Sequence, residues 1–205
     1  MKHLRTLRIW LFVAAVVVAV PALLLARRGA TGSELPRYGA VPDAALPAHD
    51  GTTLDLASLR GSVWIADFIF TRCLEVCPLM TTRMKALARD LDASAAGRQV
   101  RLVSFSVDPE HDTPAVLSDY AAKWNAAAPR WVFLSGSPAE VERVVTAGFK
   151  LAIQRKPQDK GVIDIVHANR FVLVDKGGEI RGYYDSEDAE AMAQLGRDAV
   201  RLLAE

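Results

Sequence analysis

Two cysteines four positions apart are the residues of this chain whose type and spacing most clearly suggest chemistry. Cys73 and Cys77 are its only cysteines, Pro78 follows the second, and His167 stands ninety positions further on. Thiolates and an imidazole can hold a soft metal ion, and a thiol pair can also exchange electrons through a disulfide. A disulfide across so short a loop would constrain the unfolded chain by only about 2 kcal/mol. A purely structural cross-link is therefore the weaker interpretation.

A helix is predicted to begin at this pair. Apolar residues follow Cys73 at intervals of three and four, which predicts a helix over about residues 78–91 with these residues inward: Cys77, Met80, Met84, Leu87, Ala88 and Leu91. The partial positive charge of a helix N-terminus favours thiolates, so we expect Cys77 to ionise more readily than a free cysteine. Two thiolates and one imidazole suit Cu(I), whereas a structural Zn²⁺ site would need a fourth ligand. A buried pair without a ligand is the remaining alternative.

The N-terminal residues predict which compartment the thiols occupy. Residues 9–26 are an uncharged, mostly apolar run, long enough to cross a hydrocarbon layer of about 30 Å. Basic residues before the run favour a cytoplasmic head over residues 1–8, with the rest of the chain outside. A cleaved signal peptide is the alternative, disfavoured because Arg27 and Arg28 follow the run and no small-x-small site ends it. Residues 27–41 are then a linker, and the thiols face an oxidising compartment.

The charge balance argues against a nucleic-acid partner. Residues 1–30 hold five basic residues and no acidic ones, which leaves 20 basic against 24 acidic residues, a net charge of −4, on the remainder. A domain of that charge offers no basic face for phosphate backbones.

Strand and helix patterns alternate through residues 42–205. A turn at Asp50-Gly51 indicates a small N-terminal hairpin, and Val63 to Phe70 has the composition of a central strand. The further predicted elements are strands at 100–107 and 131–134, helices at 114–124 and 138–147, a hairpin of 171–175 with 179–183, and a last helix at 189–203. This order predicts a three-layer α/β domain. Residues 150–164 are polar and predict a flexible loop.

An acidic residue interrupts the predicted central strand. Asp67 stands among apolar neighbours six positions before Cys73, and a buried carboxylate is costly unless it is paired or has a chemical role. One interpretation is that the carboxylate has a chemical role beside the thiols. The alternative is that Asp67 faces a polar edge or pairs with a lysine or arginine.

Three motifs in order resemble a known family. A strand that ends in a cysteine pair and opens a helix, with a C-terminal hairpin and helix, is similar to the thioredoxin fold. The segments 70–78 (FTRCLEVCP), 107–114 (VDPEHDTP) and His167 before 171–175 (FVLVD) resemble the Sco/SenC family of membrane-anchored copper proteins that serve cytochrome c oxidase assembly. The resemblance runs from about residue 42 to the C-terminus. Members commonly carry Pro-Asp after the first cysteine, where this chain has Leu74-Glu75.

The resemblance implies a function and a site. Cys73, Cys77 and His167 correspond to copper ligands, for Cu(I) and also for Cu(II), and the chain is expected to deliver copper to the copper-site subunit of cytochrome c oxidase. The thioredoxin resemblance also implies an alternative, a thiol-disulfide oxidoreductase that reduces that subunit's cysteines or another extracytoplasmic disulfide, with Cys73 and Cys77 as the redox pair and Asp67 as proton relay. Whether the chain is an enzyme stays open between the two.

The resemblance also implies a location and further partners. The expected location is the bacterial inner membrane, with a single pass and a periplasmic C-terminal domain. Another copper chaperone or a thiol reductant is a further expected partner, because copper or electrons must be supplied from elsewhere. A peroxiredoxin is disfavoured, because its Pro-x-x-x-Thr-x-x-Cys pattern is absent and Thr71 stands two residues before Cys73.

The acidic segment from Asp108 to Pro114 has two interpretations. Its carboxylates could bind a hard cation or shape a partner surface. The other interpretation is a strand-to-helix turn, in which Thr113 caps the helix that begins at Pro114 and the acidic residues favour its N-terminal end.

Overall fold

Strands and helices alternate along the chain around one mixed β-sheet. In the computed structural model the elements are, in chain order, β1 (Ala45–Pro47), β2 (Thr53–Asp55), β3 (Trp64–Ile69), α1 (Val76–Asp92), β4 (Arg101–Ser106), α2 (Pro114–Trp124), β5 (Trp131–Leu134), α3 (Pro138–Glu142), β6 (Arg155–Pro157), β7 (Ile163–Ile165), β8 (Arg170–Val174), β9 (Ile180–Asp185) and α4 (Ala189–Leu202). The structure describes residues 34–74, 76–151, 155–157, 163–165 and 169–205. The predicted membrane span at 9–26 and His167 lie outside these ranges.

The sheet has the strand order β5-β4-β3-β8-β9. The strands β3, β4 and β5 are parallel, β8 is antiparallel to β3, and β9 is antiparallel to β8. Because β3 and β4 are parallel neighbours, the segments that follow them leave the sheet at the same edge. Those two segments contain the cysteine pair and the acidic turn respectively.

Both faces of the sheet are covered, which confirms the predicted three-layer arrangement. All six residues of β3 are buried. On one face the rings of Trp64, Phe68 and Phe105 pack with Phe149, whose centroid lies 5.0 Å from that of Phe68. The helices α1 and α4 pack on each other, α1 also against β3 and α4 against β9. Asp67 alternates with Trp64 and Phe68 along β3 and therefore points to the opposite face.

Most predicted elements are confirmed, and one expectation is wrong. The N-terminal hairpin forms from β1 and β2, and Thr113 caps α2 with Pro114 at its first position. The helix predicted over 138–147 is confirmed, with α geometry in α3 and π geometry over Arg143–Gly148. The polar segment 150–164 contains β6 and part of β7, which pair antiparallel, so it is not simply a loop.

Pro36–Glu205 form one compact unit. The buried apolar residues of the described chain, from Val41 to Leu202, all belong to it. A unit with its own core is expected to fold by itself. Among the described residues, which exclude positions 1–33, no helix has the length and apolar character needed to cross a membrane.

Asp67 is buried in the middle of the sheet, and no basic side chain of the described residues pairs with it. The side chain has 0% exposure, and neither carboxyl oxygen has a hydrogen-bond partner among the described residues. Burial raises the pKa of Asp67 to about 7, a shift that the neighbouring Ser104 hydroxyl, opposite it in the β3–β4 register, partly opposes. The alternative of a polar edge or a basic partner for Asp67 is therefore wrong.

The raised pKa of Asp67 predicts a pH-dependent stability. Well below pH 3.8, the ordinary pKa of an aspartic acid, the carboxyl is neutral in both the folded and the unfolded state, so its burial then has no ionisation cost. As pH rises toward 7 only the unfolded state ionises, and the free energy of unfolding falls. We expect Asp67→Asn, which stays neutral, to gain about 2–3 kcal/mol relative to the native protein between pH 5 and pH 7.5. Urea denaturation of both proteins at the two pH values measures this difference.

The matched control is Asp119→Asn, because Asp119 is an exposed carboxylate on α2. Its effect on the free energy of unfolding should be the same at both pH values. An equally constant effect of Asp67→Asn would contradict a buried carboxyl that titrates near neutrality.

Candidate metal and thiol site

The cysteine pair lies where β3 passes into α1. Cys73 is half-buried in the connecting turn, and Cys77 is buried in the first turn of the helix. The backbone N–H of Cys77 donates to the Sγ of Cys73 over 3.3 Å, and the N–H of Phe70 donates to the Sγ of Cys77 over 3.5 Å. Both residues are thiols in the structure rather than a disulfide. Because Cys77 is buried and Cys73 is only half-buried, the Sγ of Cys73 is the sulfur that another molecule can reach.

The expectation that Cys77 ionises readily is wrong. The hydrogen-bonding interaction with the Cys73 side chain, together with burial, raises the pKa of the Cys77 thiol far above its ordinary value. The N–H of Phe70 opposes this shift, and the charge of Asp67 adds to it. The Cys73 side chain and burial together thus outweigh the helix N-terminal field at Cys77. Cys73 differs from Cys77 in being only half-buried and in accepting a helix N-terminal N–H at its sulfur.

A buried carboxylate holds the turn that precedes Cys73. Asp112 accepts hydrogen bonds from the backbone N–H of Thr71 over 3.0 Å and from its hydroxyl over 2.5 Å. The hydroxyl of Ser106, at the end of β4, donates to the same carboxylate over 2.6 Å. The side chain of Asp112 is fully buried. These bonds tie the chain just before the cysteines to the end of the neighbouring strand.

A second carboxylate holds the next residue. The guanidinium of Arg72 donates from Nε and from a terminal nitrogen to one oxygen of Asp108, over 3.0 and 2.5 Å. Asp108 is 2% exposed, whereas the Arg72 side chain is 38% exposed, so the carboxylate rather than the whole pair is shielded from water. Charge-assisted bonds of this kind are stronger than neutral ones. We call Asp108 and Asp112, together with Thr71 and Arg72, the carboxylate anchor.

The carboxylate anchor answers part of what the sequence left open about residues 108–114. The segment is the predicted strand-to-helix turn, yet these two carboxylates contact the turn before Cys73 instead of the N-terminus of α2. Ligand atoms of Asp108, His111 and Asp112 lie within 4.8 Å of one another. Because both carboxylates already accept hydrogen bonds from Arg72, Thr71 and Ser106, their contacts indicate a structural anchor.

A polar chain of side chains lies beneath the cysteine helix. The hydroxyl of Thr81 donates to the backbone carbonyl of Cys77 over 2.8 Å, and it lies 2.8 Å from the hydroxyl of Tyr120 on α2. Burial raises the pKa of Tyr120 to about 12, with smaller contributions from the Cys77 and Asp67 charges. The phenol therefore stays neutral and can hydrogen-bond in this core. Met80 and Met84 are buried on the same helix, as core residues.

The structure brings three of the predicted site residues together. Cys73 contacts Cys77, and the carboxyl of Asp67 is near enough for its charge to act on the Cys77 thiol. His167 lies outside the described residues. The sequence pattern did not indicate that Thr71 and Arg72 hold the turn before Cys73, because no spacing signal marks such residues. Thr81 follows Cys77 by four positions, so helical spacing could have placed it beside the cysteine.

Comparison with known proteins identifies the family. A family model described as SCO1/SenC matches residues 40–201. A SCO1 protein homolog of Bacillus subtilis (strain 168) is 42% identical over 138 residues, which cover 67% of this chain and 69% of the relative.

Solved structures agree with this match. BsSco, described as a member of the Sco family of cytochrome c oxidase assembly proteins with a disulfide switch, superposes with a TM-score of 0.73 at 33% identity, covering 85% of this chain and 98% of that one. ScoI of Bradyrhizobium japonicum with copper bound gives a TM-score of 0.65 at 26% identity, covering 77% and 98%. Sequence motifs, fold and relatives agree, and the chain belongs to the SCO1/SenC family with its thioredoxin-like fold.

Proposed function

We propose that this chain is a copper-binding metallochaperone that delivers copper to the copper site of cytochrome c oxidase during its assembly. The observation that carries the proposal is the arrangement of the two thiols. Cys73 presents a reachable sulfur at a helix N-terminus, and Cys77 stands directly behind it with its N–H on that sulfur. Soft thiolates that share one side of a turn are suited to Cu(I), which accepts few ligands.

The donor chemistry and the relatives support copper as the cargo. Copper would bind the two sulfurs as thiolates. The positive charge of the metal would then compensate the negative charge of the buried Cys77 thiolate, so its ionisation would no longer be unfavourable. The proposed ligands are Cys73, Cys77 and His167, and the histidine is included because of its position in the sequence. B. japonicum ScoI has been solved with copper bound. BsSco belongs to a family of cytochrome c oxidase assembly proteins.

A specific observation also favours the second candidate, a thiol-disulfide oxidoreductase. Disulfide exchange must move a proton to or from the buried Cys77, and Asp67 lies near it with a pKa of about 7. A group with that pKa can accept or donate a proton at neutral pH. The related BsSco is described as having a disulfide switch. In this second role Cys73 is the attacking thiol and Asp67 the proton relay.

We propose that the chain is anchored in a bacterial inner membrane. Residues 1–8 form the cytoplasmic head, 9–26 the span, 27–41 the linker and 42–205 the periplasmic domain, and the last residues of the predicted linker, 36–41, belong to the compact unit of that domain. Apolar composition of the span and the family of the domain support this arrangement. The proposed partners are the copper-site subunit of cytochrome c oxidase and a supplier of copper or of reducing equivalents.

Anaerobic copper titration of residues 31–205 distinguishes the two roles. With a competing chelator we expect one Cu(I) per chain, because the two thiolates and the imidazole complete a single site. His167→Ala should weaken Cu(I) binding by more than about tenfold, since loss of even a supporting group costs that much, and Cys73→Ser should weaken it further. Cu(II) should bind to the native protein and fail to bind to His167→Ala.

His49→Asn is the matched control, because asparagine can still accept the hydrogen bond that His49 receives from the N–H of Phe133. Its Cu(I) affinity should equal that of the native protein. If His167→Ala leaves the Cu(I) affinity unchanged, the histidine is not a copper ligand. Weak copper binding together with fast thiol exchange would favour the oxidoreductase instead.

The carboxylate anchor should matter for copper through geometry. Asp112→Ala leaves the Thr71 N–H and the Ser106 hydroxyl without their acceptor, so we expect it to lower the free energy of unfolding by roughly 2–5 kcal/mol. The less constrained turn should also weaken Cu(I) binding. Urea denaturation and chelator competition measure the two effects. Asp119→Ala on α2 should change neither, and native copper affinity in a folded Asp112→Ala protein would refute the anchoring role.

A further inference from the structure

Exposed apolar side chains gather around the cysteine pair. Among the residues whose exposure the structure describes, the large apolar side chains that are exposed are Tyr38, Leu74, Val76 and Leu79. Three of these four lie within six consecutive positions, from Leu74 to Leu79. Scattered exposed apolar residues are ordinary on soluble proteins, whereas a cluster of them marks an interaction site. We call Leu74, Val76 and Leu79 the apolar collar.

The apolar collar lies in the same short segment as the half-buried Cys73. Leu74 follows Cys73 directly and is 88% exposed, which leaves almost its whole side chain in water. Val76 and Leu79 are 39% and 45% exposed and lie three positions apart on α1, so they are neighbours on one side of the helix. Cys77 and Met80 point inward from the same turns. The collar side chains are therefore exposed in the same segment as the thiol pair and are not among the buried core residues.

The chemistry of the site determines what must cover this rim. Copper transfer between thiolates and disulfide exchange both require a donor atom of the other molecule to bond with the metal or the sulfur held at Cys73. A polypeptide that reaches this sulfur must also contact Leu74, because the two residues are adjacent. Arg72, on the other side of Cys73, is already paired with Asp108 and so offers no uncompensated cation for recognition. Of the two residues that flank Cys73, Leu74 is the more exposed, and it offers apolar contact.

The collar continues along the helix into a groove. At about 100° per residue, Val76, Leu79, Arg83, Ala86 and Asp90 fall within roughly 80° on one side of α1. The last three of these line a groove of about 770 Å³ between α1 and α4, with Met192 and Val200 on the α4 side. A segment bound at Cys73 thus finds further apolar surface beyond Leu79.

We propose that the apolar collar docks a partner protein's cysteine-bearing segment in which apolar side chains flank the cysteine. The proposal rests on the proposed function, and it adds the chemistry of the partner's contact surface. Burial of the collar leucines against the flanking side chains stabilises the encounter, and the cysteine is thereby held at Cys73. Partners whose cysteines have polar flanks lack this stabilisation and react more slowly.

Two peptide disulfides test the proposal. Each carries one cysteine as a mixed disulfide with thionitrobenzoate, flanked by leucines in one peptide and by serines in the other. The Cys73 thiolate of the reduced unit, residues 36–205, attacks the peptide sulfur, and thionitrobenzoate leaves as a coloured thiolate. Cys77, after losing its proton to solvent, then attacks the Sγ of Cys73 and releases the peptide thiol, so both cysteines end oxidised and the mixed disulfide ends as two thiols. The first step gives the measured second-order rate.

The measured quantity is the ratio of the rate with the leucine peptide to the rate with the serine peptide, divided by the same ratio measured with glutathione as the thiol. We expect this normalised ratio to be about ten for the native unit. In the double variant Leu74→Ser, Leu79→Ser the ratio should fall below about twofold. Lys85→Ser, an exposed change on the same helix, should keep the native ratio. Equal rates for the two peptides in the native unit, or a native ratio in the double variant, would overturn the proposal.

Further readouts separate this proposal from its alternatives. The double variant should retain native Cu(I) stoichiometry and affinity. Loss of peptide selectivity with copper binding intact would then be an effect of the collar alone. Absence of copper binding in the native unit would instead count against the proposed function. A native dimer that the double variant abolishes, measured by sedimentation, would assign the collar to a second copy and overturn the proposal. Binding to phosphatidylglycerol vesicles that the double variant abolishes would assign the collar to the membrane and would likewise overturn the proposal.

Discussion

The carboxylate anchor is the interaction on which the thiol site depends. The parallel pairing of β3 and β4 brings their following segments to one edge of the sheet, and Asp112 then bonds the N–H and hydroxyl of Thr71. With Arg72 held by Asp108, two consecutive residues before Cys73 are attached to a neighbouring strand end. The turn can therefore remain open to solvent at Cys73 and still hold the sulfur in place.

The two sulfurs occupy contrasting environments, and this contrast agrees with both proposed roles. Cys73 accepts an N–H at the helix N-terminus and is partly exposed, whereas burial and its neighbour raise the pKa of Cys77. A bound metal would compensate the charge of a Cys77 thiolate, and Asp67 could serve as its proton partner in disulfide exchange. The same buried carboxyl lowers the stability of the fold as pH rises, so its retention is easier to understand through function than through packing.

Sequence patterns predicted the fold in outline and the thiol pair in detail. A continuous apolar run located β3, helical spacing located α1, the Thr113-Pro114 cap located α2, and motif order identified the family. They failed where solvation or tertiary contact decides. The helix N-terminal position of Cys77 predicted easy ionisation, and the Cys73 side chain together with burial reversed it. The partners of Asp108 and Asp112 lie 36 and 41 positions away across a strand pairing, which no local pattern encodes. The sequence marked Leu74-Glu75 only as a departure from the family, because the exposure of Leu74 is a property of the folded chain.

The identity of the atoms around bound copper tests the central claim most directly. X-ray absorption at the copper edge, on residues 31–205 loaded with one equivalent of Cu(I), should show two sulfur neighbours and one nitrogen neighbour. His167→Ala should lose the nitrogen, and Cys73→Ser should lose one sulfur. A copper shell without sulfur, or one that Cys73→Ser leaves unchanged, would contradict the account.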